Sequence, residues 1–109
     1  MSLNGIWKIE MVGMNDWEAT ATAFLEDGRY LAGSSNHYAV GIYKLEGSDV
    51  VADVTITAYN NKQVLFGKKA SKYNVQFHGK LNGNVVDGEA KEGRDHLMRF
   101  KATRIAELP

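Results

Sequence analysis

The chain has no cysteine, and its one proline is the last residue, Pro109. Without cysteine there is no disulfide and no thiolate metal site, which fits a reducing compartment. With proline absent from the body of the chain, punctuation falls to its 11 glycines. Charge of one sign is missing as well, since 13 Lys and Arg balance 13 Asp and Glu. Nucleic-acid binders carry a basic excess to neutralise phosphates, so direct DNA or RNA binding is not expected. No apolar run approaches the ~18 residues of a membrane-spanning helix. No basic stretch followed by an apolar segment opens the chain, and no Asn-x-Ser/Thr acceptor occurs. These absences predict a cytoplasmic protein with no signal peptide and no membrane contact.

What is present fits one globular domain spanning 1–109: 109 residues, 44% hydrophobic and 24% charged. Most glycines separate short segments of period-two alternation. Gly5 to Val12 sets Trp7, Ile9 and Met11 against Lys8 and Glu10. Glu18 to Leu25 sets Ala19, Ala21, Ala23 and Leu25 against Thr20, Thr22 and Phe24. Asp27-Gly28 is a hairpin signal, because both central residues of the favoured turn need positive φ. Arg29 to Ala32 follows, then His37 to Leu45 after a Gly33–Asn36 loop. The turn Glu46-Gly47-Ser48-Asp49 leads into Val50 to Tyr59, the most regular alternation. Lys72 to Leu81, an Asn82-Gly83 turn, Asn84 to Ala90 and Leu97 to Ile105 complete the set.

Eight such segments joined mostly by tight turns predict an all-β fold, an eight-stranded antiparallel up-and-down barrel. Closure removes the exposed strand edges that invite aggregation. An immunoglobulin-like sandwich is the alternative, but few loops here are long enough for its crossings. The one long connection, 60–71, is expected to hold a short helical turn around Val64-Leu65-Phe66 that covers one barrel end.

Gly5-x-Trp7 resembles the opening motif of lipocalin-like (calycin) barrels, in which the Trp plugs one end. In those families a basic side chain of the last strand often covers the ring, and Arg99, Lys101 and Arg104 are available. A wider resemblance rests on "NGIWKIEM", "GRYLAGSSNHYAVGIYKLEG", "VVADVTITAYN" and "QFHGKLNGNVVDGEA". Together these are similar to the GrlR-like family, small negative regulators of bacterial type III secretion. The matching positions are Asn4-Gly5-Ile6-Trp7, Gly33, Tyr38 and Gly41-Ile42-Tyr43. Two positions depart from the family pattern. Gly33-Ser34 stands where members often have Gly-Asp, and the 46–49 turn carries two acidic residues where the best-known regulator has a fully acidic one.

The resemblance implies a non-enzymatic regulator, a lipocalin-like barrel that forms a homodimer and grips a helix-turn-helix activator protein. Glu46 and Asp49, with Tyr30, Tyr38 and Tyr43, are then the candidate partner-binding residues. The aromatic-rich stretch Arg29 to Tyr43 is the candidate dimer surface. A second reading is a barrel that carries a small apolar ligand, with Trp7, Tyr59, Phe66, Tyr73 and Phe77 as candidate pocket residues. Packing of the barrel accounts for such aromatics equally well. His37, His78 and His96 share no metal-ligand spacing, and Asp87, Glu89, Glu92 and Asp95 sit beside Lys91 and Arg94 as a solvated strand end does. With no nucleophile elbow, phosphate loop or dinucleotide fingerprint either, no enzyme activity, cofactor or metal is expected.

Overall fold

The computed structural model describes residues 3–13, 16–59, 64–65, 68–69, 71–93 and 96–109, those at 13, 16–19, 64–65, 68–69 and 96–97 by backbone alone. Its strands are β1 (Gly5–Gly13), β2 (Asp16–Glu26), β3 (Arg29–Gly33), β4 (His37–Glu46), β5 (Asp49–Ala58), β6 (Val64–Leu65), β7 (Lys68–Lys69), β8 (Lys72–Asn82), β9 (Val85–Glu92) and β10 (His96–Ala106). All but β6 and β7 form one closed antiparallel barrel in chain order, completed where β10 returns to β1. The eight-stranded up-and-down barrel read from the alternation is the fold.

The alternation also assigns the faces. Val50, Ala52, Val54, Ile56 and Ala58 of β5 point inward, as do Tyr73, Val75 and Phe77 of β8. Asp27 and Gly28 both take positive φ, 50° and 85°, as the hairpin signal requires. Two local readings need correction. Asn82 pairs with Val85, so the turn after β8 is centred on Gly83-Asn84 rather than Asn82-Gly83. There Gly83 alone takes positive φ, at 63°. Within 60–71 the described residues form no helical turn; Val64 pairs with Lys69 and Leu65 with Lys68. Glycine has a low helix propensity, and the 60–71 sequence contains one. Phe66 lies outside the described residues.

The opening residues close one barrel end together. Trp7 is fully buried, and its indole N–H donates to the Leu3 carbonyl at 2.9 Å. The Arg104 guanidinium lies 5.1 Å from the centre of the Trp7 ring, so Arg104 is the covering cation among the three candidates. Gly5 makes room for it: a Cβ there would stand 3.2 Å from Arg104 Nε and 2.9 Å from the Ala106 carbonyl oxygen. Asn4 clasps the β2–β3 turn, accepting from the Asp27 backbone N–H at 2.9 Å and from the Tyr43 hydroxyl at 3.2 Å.

Candidate functional site

The interior is mostly filled. Tyr30 and Phe77 stack with ring centres 6.0 Å apart, and Phe77 meets Phe100 edge to face at 5.0 Å. Ile9, Tyr30 and Phe77 together separate two cavities of about 40 Å³ each. One lies toward Trp7, the other toward His37.

The outer wall is less ordinary. Alternation places Ile6, Phe24, Leu31 and Val40 directly opposite one another across β1, β2, β3 and β4. Phe24, Leu31 and Val40 keep between 44% and 47% of their surface in solvent. Ile42 extends this row along β4, and on its other side Tyr38 packs against Tyr59, ring centres 5.9 Å apart. At about 150–250 Å² per large side chain, Phe24, Leu31, Tyr38, Val40, Ile42 and Tyr59 expose on the order of 500 Å². A typical monomer's largest apolar patch is roughly 300–600 Å² and is often functional. Arg29 and Glu26, themselves ion-paired, edge the patch.

The structure divides the sequence-derived candidates. Tyr38 belongs to the outer patch. Tyr30 does not: it is buried in the core, where loss of water pushes its phenol far above the usual range. Tyr43 is half-buried at the Trp7 end with its hydroxyl on Asn4, so it too leaves the contact surface. Trp7, Tyr73 and Phe77 face the interior as expected. Tyr59, a candidate pocket residue, stands outside with 61% of its surface exposed, because the inward residues of β5 alternate from Val50 to Ala58 and the next position falls on the outer face. At the acidic turn Glu46 is exposed and makes no ion pair among the described residues. Asp49 is held by Lys80, with His78 3.8 Å away, and this hydrogen-bonded ammonium keeps its carboxyl below the usual range. Leu31, Val40 and Ile42 fall within the stretch Arg29 to Tyr43 expected to form the dimer surface, whereas Phe24 lies outside it and sequence reasoning missed it. Neither a protein-family model nor a curated protein matches the chain.

Among the described residues no three His, Asp or Glu side chains gather as a metal site would need. Of the two histidines whose side chains are described, His37 is the one on the interior face of its strand, where loss of water lowers its pKa below 6.5. The unfolded chain therefore takes up this proton first as pH falls through about 6.5, and the fold loses stability from there down to the folded pKa. Urea midpoints of the wild type and His37→Phe, compared from about pH 8 to pH 5, should diverge on the acid side, the wild type falling further. Parallel curves would show that His37 is solvated like a free imidazole.

Proposed function

We propose that this chain is a non-enzymatic protein-interaction module that works as a homodimer, each copy covering the other's β2–β4 outer face. The supporting observation is the apolar row Phe24–Leu31–Val40 with Ile42, on strands whose opposite side already serves the core. A standard interface covers roughly 800 Å² per partner, an apolar centre with a polar rim. An apolar patch on the order of 500 Å² rimmed by Arg29 and Glu26 supplies such a centre. A second copy suits it because a two-fold axis sets the same row against itself and needs no charge imbalance, and this chain has none.

The finer reading follows the GrlR-like resemblance: a cytoplasmic regulator that holds a helix-turn-helix activator, with Glu46 at the exposed 46–49 turn as a contact. The carrier reading has weaker support, because interior cavities of about 40 Å³ fall far below the roughly 300–1,000 Å³ of small-molecule pockets.

Light scattering after size exclusion, at micromolar concentration, should return about twice the 12.1 kDa chain mass. Leu31→Glu, at the centre of the row, should return the single chain mass with an unchanged circular dichroism spectrum. A wild-type monomer would remove the proposal.

A further inference from the structure

The apolar row on the outer wall does not stop at β1. On the β4 side it ends in polar neighbours, because Val40 stands opposite Thr55 and Ile42 opposite Asp53 on β5. On the other side Ile6 stands opposite Ala106 of β10, and there the β1–β10 ladder is irregular. Trp7 pairs with Arg104 and Ile6 with Ala106, so Ile105 is an extra residue on β10. A bulge of this kind sets two residues against one and re-aims a side chain. Here Ile105 and Ala106 both face solvent beside Ile6, while Arg104 lies over the Trp7 ring. Ile105 keeps 59% of its surface exposed, more than Phe24, Leu31 or Val40. The ridge Ile105–Ile6–Phe24–Leu31–Val40 therefore spans five adjacent strands and crosses the seam at which the barrel closes. The seam is thinnest at that crossing. Beyond the bulge the pair Ile6–Ala106 stands alone among the described residues of the ladder.

We infer that the contact between two copies extends over this crossing, so that dimer formation holds β1 against β10. The inference rests on the homodimer reading above and adds Ile6 and Ile105 to its surface. Area supports a second copy as the occupant. With Ile105 the exposed apolar surface comes to roughly 600 Å², the top of the range that a typical monomer leaves in water. It also fits inside the roughly 800 Å² that a standard interface covers on each partner. Charge supports the same occupant, since the rim pair Arg29 and Glu26 is already neutral and asks for no partner of opposite sign. A two-fold axis brings the ridge of one copy onto the ridge of the other. A copy lying on both Ile105 and Ile6 has to leave before β1 and β10 can part. Binding to the closed barrel alone then shifts the seam toward closure. The bulge weakens the ladder of a single chain, and it is also what carries an added apolar side chain to the contact.

Light scattering over a dilution series tests the surface. Ile105→Glu should weaken the dimer at least about tenfold, because the contact would bury a carboxylate without a partner. Val51→Glu is the control. Val51 is 44% exposed on β5 between Lys44 and His78, away from the ridge, and its replacement should leave the dimer intact. Hydrogen exchange of the unaltered chain tests the seam and needs no variant. The amides of 6–8 and 103–106 should exchange at least about tenfold more slowly where scattering shows a dimer than where dilution gives a monomer. Those of the 46–49 turn, off the ridge, should keep their rates. A wild-type monomer at every concentration removes the homodimer reading and this inference with it. A dimer that Leu31→Glu breaks, but that Ile105→Glu leaves as strong as Val51→Glu does, overturns this inference alone. Seam exchange that ignores concentration in a chain that does dimerise overturns it too, since the contact then does not hold β1 to β10.

Discussion

Gly88→Ala should unfold the protein or leave it barely folded, a loss of roughly 4 kcal/mol or more. Gly79 and Gly88 stand directly opposite each other where β8 and β9 approach. A Cβ on Gly88 would lie 2.1 Å from the His78 carbonyl oxygen and 2.5 Å from the Gly79 Cα. Both obstacles are backbone, so no side-chain rotation relieves them, and the two strands must part. Ordinary overpacking costs about 1–3 kcal/mol because side chains can shift. Here the ladder itself has to give, against a total stability of only about 5–15 kcal/mol. Gly33→Ala is the matched control: its Cβ meets nothing within 4 Å, so the change should stay within about 0.5 kcal/mol. Urea unfolding followed by circular dichroism compares the two, and similar midpoints would refute the close approach of β8 and β9.

Trp7→Ala should cost about 3–5 kcal/mol, the usual range for emptying a large buried aromatic site. The ring is fully buried and covered by Arg104 at 5.1 Å. Removing it takes away both packing and the surface on which the guanidinium lies. Trp7→Phe keeps a ring but loses the indole N–H donated to Leu3 at 2.9 Å, so about 1–2 kcal/mol is expected for that variant. Equal losses for the two variants would mean that the hydrogen bond, not the packing, holds this barrel end shut.

Legibility in the sequence varied with how polar the outer face of each strand is. In β5 and β8 one face is Asp53, Thr55 and Thr57, or Asn74, Gln76 and His78, and the inward set is unambiguous. In β3 and β4 both faces are apolar. Leu31, Val40 and Ile42 point out while Tyr30, Ala39 and Leu45 point in, so period two alone cannot rank them. Tyrosine adds to the ambiguity, since its amphipathic ring suits core and contact alike, and this is why Tyr30 and Tyr43 read as surface. That excess was itself a signal: a strand apolar on both sides in a small barrel leaves apolar side chains in solvent. The short pairing of β3 with β2, over Thr22–Glu26 only, left no such trace. It depends on where β3 stops relative to β2, a difference of length that alternation does not record.

The closing ladder between β1 and β10, with Ile6 opposite Ala106, has a consequence for how the molecule is made. All other neighbours in the barrel follow one another in the chain, and most are joined by short turns, so they can pair as they form hairpins. The last seam joins residues about a hundred positions apart, and forming it means closing nearly the whole chain into a loop. High separation of this kind places folding in the slow, millisecond-to-second class. Until the seam zips, β1 and β10 both present a full row of unpaired amides and carbonyls to any neighbouring chain. Refolding yield should therefore fall with protein concentration more steeply than native stability would suggest, and variants that weaken only this seam should aggregate during synthesis before they measurably lower the melting temperature.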